Sequence, residues 1–373
     1  MTAARPAALD RRTLGRAALD RQLLLQRSDL PVLDAVERVA GIQAQTTRSW
    51  YVGLWSRLDG FRAAEASDLL AGRQLVRAAL MRSTIHLVTG RDCLALRPAV
   101  QPALDRDVFG NVTWRRHLVG IDTAGLADAA RTVLDEQPRT PAELGAVLAQ
   151  RWTGRDPSAL AYAARSLLCL VQVPPRGLWD RGGRARHATA EHWLGQPLRD
   201  DFTPQQLITR YLAAFGPASV ADMQAWSGLS GLREIAESSG AALVTFRDEN
   251  GRTLYDLPDA RLPDPDTPAP VRFLPDYDNA LLAHADRSRI ATEPYLRYRA
   301  GIRTGPVPGT VLVDGLTAAT WTIHRDKGQA AITIEPWSGL SRGDTDAVGE
   351  EAGKLLAFTD PGASHDVRLS PSR

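Results

Sequence analysis

Three times in the first 260 residues, a group of helical segments ends in a pair of strands. That recurrence restricts the fold more than any other feature of the chain. The third round is the clearest. Thr203-Pro204-Gln205-Gln206 has the composition of a capping box with proline at the first helical position, and it opens a helix over 204–215. Ser219 caps 220–226, Gly228 makes a turn, and Ser230 caps 231–238. Two short helices about a glycine turn fit helix-turn-helix geometry. Strands at 242–247 and 252–257 then flank Glu249-Asn250-Gly251, and an Asn-Gly pair is the strongest short hairpin signal. The second round runs 124–134, 142–152 and 157–168, with Thr140-Pro141-Ala142-Glu143 as its capping box. Its strands at 171–179 and 184–190 flank Asp180-Arg181-Gly182-Gly183. The first round has helices at 9–27, 32–43, 50–58 and 63–71, strand-rich sequence at 75–89, and a further helix at 91–104. Helices followed by a hairpin wing make a winged-helix unit.

The predicted fold is therefore α+β: three tandem winged-helix units, 1–122, 123–200 and 201–262, followed by a β-rich C-terminal domain at 263–373. Leu262 to Pro270, LPDPDTPAP, is the linker. Beyond it, 309–324 and 329–336 form a hairpin about Asp326-Lys327-Gly328, and 345–358 is a helix. A last short strand is expected at 367–369.

Within the first unit, Val32, Val36 and Val39 make an apolar helical stripe whose next position is Gln43. Burying a bare amide costs about 1–3 kcal/mol, so Gln43 must be hydrogen-bonded or lie at the mouth of a cleft. Gln45 follows two residues later, and residues two apart do not share a helix face. If the helix loosens before Thr46 and Thr47, both amides point into one site. Spacing alone favours two surface or capping glutamines.

Composition excludes several classes. A length of 373 residues suggests about two or three domains. A hydrophobic content of 44% and a charged content of 24% are those of an ordinary soluble protein. The net charge of +2 does not announce a nucleic-acid binder. Of the 45 basic residues, all but Lys327 and Lys354 are arginine, which fits a GC-rich genome or a set of bidentate phosphate binders. Cys93 and Cys169 suggest no disulfide framework, and they cannot make a zinc site between them. The seven histidines lack ligand spacing; His187 and His192, five apart, have no third ligand. A magnesium site at Asp276, Asp278 and Asp286 is opposed by Arg287 and Arg289. No P-loop or HExxH is present. The N-terminal MTAARPAALDRRTLGR has no signal-peptide core, and no run approaches the roughly 18 apolar residues of a membrane span. These features predict a cytoplasmic monomer with no metal, cofactor or membrane partner.

Four segments carry a resemblance: GIQAQ at 41–45, Arg82-Ser83-Thr84-Ile85-His86, LPDYDNALLAHADRSRI at 274–290, and Gly315 to Trp321. Together they resemble the AlkZ-type family of bacterial DNA glycosylases, related to the YcaQ-like branch, over roughly residues 10–360. Gln-x-Gln alone is a weak signal; four segments in order are much stronger. The YcaQ-like branch carries Gln-x-Asp, so Gln45 places the chain nearer AlkZ. The resemblance implies tandem winged helices and a β-rich domain. It implies excision of alkylated purines from double-stranded DNA, with interstrand crosslinks unhooked by some members. It also implies that Gln43 and Gln45 are catalytic.

The chemistry suits neutral amides. A purine alkylated at N7 or N3 is already cationic and leaves as a neutral base, while the sugar becomes oxocarbenium-like. The enzyme then has to hold a water and present acceptor dipoles. DNA contacts are expected from Arg48, Trp50, Arg82, Thr84, His86, Arg181, Arg184, Arg186, His284, Arg287 and Arg289. Arg82, Thr84 and His86 alternate in strand phase and would share one face. His86 equally suits a satisfied core histidine, and Trp50 and Trp55 suit core packing better than stacking on DNA. Asp276, Asp278 and Asp286 are read as structural partners of Arg287 and Arg289 rather than as catalysts. The resulting expectation is a monofunctional DNA glycosylase. The alternatives are a winged-helix transcriptional regulator and a protein-binding module; Gln43 on an apolar stripe favours the enzyme.

Overall fold

A computed structural model describes residues 8–302 and 307–371. The first round runs through helices Arg11–Arg21, Val32–Arg38, Ser49–Trp55 and Ala63–Ala71 to strands Leu75–Ala79 and Ile85–Thr89. The expected 91–104 helix is broken at Val100 into Gly90–Ala99 and Gln101–Gly110, and Val112–Leu118 follows. Pro102 lies at the start of the second of these helices, where its missing N–H costs nothing.

The second round is Thr123–Glu136, Pro141–Arg151 and Pro157–Leu167, with strands Leu170–Val173 and Arg186–Thr189. Both halves of the capping box form: Thr140 Oγ1 accepts from Glu143 N at 3.2 Å, and Glu143 Oε2 accepts from Thr140 N at 2.9 Å. The third round is Pro204–Phe215, Val220–Ser227 and Leu232–Ser238, with strands Val244–Asp248 and Thr253–Asp256.

The hairpins of the first two rounds are not separate. Leu75–Ala79 pairs with Leu170–Val173 through Arg77↔Gln172 and Ala78↔Val171, giving one five-stranded sheet. Main-chain pairing thus crosses the expected boundary at 122/123. At the edge of that sheet, Ile42–Gln43 pairs antiparallel with Ile85–Thr89. The third hairpin takes a parallel partner in Ala8–Leu9.

Beyond the proline-rich segment lies a second five-stranded sheet. It is built from Arg272–Leu274, Gly309–Val313, Leu316–Asp326, Gln329–Pro336 and Ser364–Leu369. The expected single strand over 309–324 is two strands, because Asp314 and Gly315 turn back with φ of 45° and 76°.

One apolar core runs across these elements, joining Trp50, Leu87, Val171, Phe215, Trp226, Ile332 and Leu355. The helices of the second round carry a smaller core about Leu126, Leu134, Leu144 and Leu160. Two buried ion pairs tie distant segments together. Arg21 donates to both oxygens of Asp256 at 2.7 Å, and Arg57 to those of Asp278 at 2.8 and 2.9 Å. Losing one partner of such a pair costs about 3–5 kcal/mol. Among the described residues no helix is long and apolar enough to cross a membrane.

Candidate active site

The helix expected to carry Gln43 ends at Arg38. Ala40 and Gly41 then take φ of 57° and 85°, and the chain enters the sheet as Ile42–Gln43. Gly41 is required twice over: its backbone is left-handed, and a Cβ there would lie 2.8 Å from Val88 Cγ1. The strand pairing continues one residue further, with Ala44 N donating to Ile85 O at 2.7 Å. Two residues apart along extended backbone fall on one side, which a helix would forbid.

Both amides are oriented by groups that can only donate, so the positions of their oxygens are unambiguous. Arg82 Nη2 donates to Gln43 Oε1 at 3.0 Å and to Asn279 Oδ1 at 3.1 Å, and Arg82 Nη1 donates to Trp226 O at 3.0 Å. Ile85 N donates to Gln45 Oε1 at 3.3 Å. Two further bonds pin the strand itself: Arg77 Nη2 to Ala44 O at 2.7 Å, and Asn279 Nδ2 to Gly41 O at 3.1 Å.

The Gln-x-Gln strand is thus held by two arginines and an asparagine, and neither arginine has a carboxylate within ion-pair distance among the described residues. Burial pushes both guanidinium pKa values down to about 10, helped by Arg287 at Arg82 and by Arg176 at Arg77. Arg77, Arg82 and Asn279 were not assigned this role from sequence. Asn279 lies in a segment already singled out, but its reach back to Gly41 O and Arg82 exists only in three dimensions.

The two glutamines differ in depth. Gln43 is 4% exposed. Gln45 is exposed and lines a cleft of about 590 Å³ with Thr46, Arg48, Ser49, Trp179, Asp276 and Trp321; Gln43 is not among its lining residues. Gln45 thus stands at the wall of the cleft, whereas Gln43 is buried, held by Arg82, and does not line it.

Trp50, His86, His284 and Arg289 are too buried to make the DNA contacts expected of them. Trp50 is fully buried and stacked on Tyr51, as core packing requires. His86 is fully buried opposite Gln43; Thr84 O lies 3.0 Å from its Nδ1, and no partner among the described residues meets Nε2. Burial, then the Arg82 charge, pushes its pKa down to about 3, so the imidazole is neutral. Arg82 and Thr84 do not continue the His86 strand: Arg82 and Ser83 are left-handed, with φ of 56° and 57°. That turn, costly for non-glycine residues, aims Arg82 at Gln43. Thr84 bonds Met81 O at 3.0 Å. His284 is buried with Nε2 3.0 Å from Phe215 O. Arg289 is buried, donating to Pro217 O at 2.9 Å. Arg186 is not buried: its side chain is 43% exposed while holding Pro138 O and Glu143 Oε1.

Arg181 and Arg184 are exposed and Arg287 is half-buried; Arg48 sits at the cleft, paired with Asp180 and 4.8 Å from the Trp179 ring centre. The three aspartates also separate. Asp278 pairs with Arg57 and Asp286 with Arg252, neither with the expected Arg287 or Arg289. Asp276 pairs with no cation among the described residues. Among those residues no three His, Cys, Asp or Glu side chains are grouped to hold a metal ion.

The sequence matches no curated protein. The fold is similar to that of Streptomyces sahachiroi DNA glycosylase AlkZ, with a TM-score of 0.71 at 20% identity, covering 98% of this chain and 100% of that one. The family model for "DNA glycosylase AlkZ-like" proteins matches residues 36–358, from the helix that leads into the glutamine strand to the last long helix. The chain belongs to the AlkZ-like DNA glycosylase family.

Proposed function

We propose that the protein is a monofunctional glycosylase that hydrolyses the N-glycosidic bond of purines made cationic by alkylation at N7 or N3, in double-stranded DNA. The observation that carries this reading is the pair of neutral amides, Gln43 and Gln45, on a strand anchored by Arg77, Arg82 and Asn279 beside an open cleft. Each carbonyl oxygen has two lone pairs, and one protein donor occupies one of them. The other remains to hold water or face a developing cation. Neutral amides are poor acids, so the leaving base must supply its own lability. Cationic lesions are therefore substrates, and neutral bases such as uracil are not.

In this reading the three helix-and-hairpin rounds act as winged-helix units and the second five-stranded sheet as a C-terminal domain. Arg48, Arg181, Arg184 and Arg287 meet phosphates as the monomer works on nucleoid DNA, and interstrand crosslinks at N7 or N3 are within its chemistry. Family membership and the glutamine strand favour catalysis over the regulator, whose winged helices would need no such strand.

The test is incubation with duplex DNA carrying N7-methylguanine, N3-methyladenine or uracil, with free base measured by chromatography. Release of the first two and not of uracil is expected. No release of any alkylated base, with DNA binding intact, would hand the case to the regulator.

A further inference from the structure

Asp276 is expected from sequence to be structural, yet it differs from its neighbours Asp278 and Asp286 in having no arginine partner among the described residues. It lines the same cleft as Gln45 and is the only carboxylate among the residues that do so. Its Oδ1 accepts from Thr46 Oγ1 at 3.4 Å, and Thr46 also reaches Ser49 Oγ at 2.5 Å. Thr46 and Ser49 follow directly from the Gln-x-Gln strand, so the same short segment presents Gln45 and meets Asp276. Tyr277, next to it, has a left-handed backbone with φ of 60°, which separates the side of Asp276 from that of the buried Asp278.

The cations at the cleft are already compensated. Arg48 pairs with Asp180, and Arg325 donates to both oxygens of Asp360 at 2.6 and 2.9 Å. Neither Asp180 nor Asp360 lines the cleft. Among the described residues, Asp276 therefore presents a negative charge with no protein cation paired to it. The glutamines present only dipoles, and Gln43 carries the positive charge of Arg82 behind it. A negative group stabilises a sugar becoming cationic more than dipoles alone do, and the cleft holds one.

We propose that Asp276 is a catalytic carboxylate of the glycosylase reaction, facing the cationic sugar and accepting the proton of the attacking water. The proposal rests on the glycosylase reading above. In the step, the water oxygen bonds to C1′ as the bond from C1′ to the purine nitrogen breaks. The bonding electron pair stays on the base and cancels its positive charge. The water's proton passes to Asp276 and from there to solvent. Burial holds the Asp276 carboxyl above the usual carboxylate range, against the lowering effect of the Ser49 and Thr46 hydroxyls, which makes it a better proton acceptor at neutral pH than a solvated aspartate. The other charged or titratable groups at the cleft are Arg48, Arg325 and Tyr277.

The experiment is single-turnover release of N7-methylguanine from duplex DNA by the full chain, comparing wild type, Asp276→Asn and Asp276→Glu across pH. Asp276→Asn should lose about 10²- to 10⁴-fold in rate, the range of a lost proton acceptor, with DNA affinity within about threefold of wild type. Asp276→Glu, which keeps the charge on a longer stem, should recover about tenfold or more over Asp276→Asn. The wild-type rate should fall as pH drops through the raised Asp276 pKa, and Asp276→Asn should lose that limb. If Asp276→Asn does not fold, Asp276→Ser takes its place with the same expectations. A wild type that releases no alkylated base sinks the glycosylase reading and this inference with it. A wild type that releases base, alongside an asparagine variant within about threefold in rate or with the same acid limb, sinks the inference alone.

Discussion

Replacing Arg82 by methionine tests whether one guanidinium holds the site together. Three acceptors lose their donor: Gln43 Oε1, Asn279 Oδ1 and Trp226 O, at 3.0, 3.1 and 3.0 Å. Hydrogen bonds to charged groups contribute about 1.5–3 kcal/mol each, so the loss is roughly 4–9 kcal/mol. Against that stands relief from burying a cation with no carboxylate partner. The fall of the Arg82 pKa from 12.5 to about 10 puts that relief at roughly 3 kcal/mol. The net expectation is a loss of about 3 kcal/mol in unfolding free energy, read from urea midpoints at constant slope. Excision should suffer too, because Gln43 loses the one group that, among the described residues, fixes its oxygen. A double-mutant cycle with Gln43→Leu should show coupling of about 1–2 kcal/mol between the two side chains. An Arg82→Met protein as stable as wild type, with no coupling to Gln43, would refute the reasoning.

The other predictions concern binding, acid stability and the entry to the glutamine strand. Charge reversal at the exposed Arg181 and Arg184 should flatten the salt dependence of DNA binding by roughly 0.9 per lost phosphate contact, and an unchanged slope would make them plain surface charges. Burial pushes His86 and His284 down to about 3 and His187 to about 4, from 6.5. The unfolded chain therefore takes up protons that the native state refuses, and stability must fall as pH drops below about 6.5. The slope should approach roughly 4 kcal/mol per pH unit for the three together; equal urea midpoints at pH 7 and pH 5 would contradict it. Gly41→Ala should cost at least about 1 kcal/mol from the left-handed backbone alone, more with the Val88 contact, and should lower excision with it. Excision should continue in excess EDTA; loss restored by magnesium would point to a nuclease.

Local signals located most elements. Capping residues at Thr140, Thr203 and Ser219 marked helix starts that the structure keeps, and the Asn250-Gly251 turn lies between two strands as expected. The valine stripe at Val32, Val36 and Val39 read past its end, because the period of an apolar pattern does not announce where a helix stops. Ala40 was the obscured point: a non-glycine residue in a left-handed conformation is paid for by tertiary packing, and nothing in the sequence around it demands that geometry. The same holds for Arg82, whose apparent strand phase with His86 is broken by the turn it sits in. The pairing of the first two hairpins into one sheet, and the partners Arg57 for Asp278 and Arg252 for Asp286, are long-range choices that spacing does not encode.

In the proposed reaction, Gln43 and Gln45 carry the chemistry on a cationic base. The measurement that tests this most directly is single-turnover release of N7-methylguanine by wild type and by the Gln43→Ala, Gln45→Ala double variant, with DNA affinity measured in parallel. Wild type should release free base and leave an abasic site. The double variant should lose about 10²- to 10⁴-fold in rate while binding DNA nearly as well. Wild-type rates in the double variant would contradict the assignment and move the chemistry away from the glutamine strand.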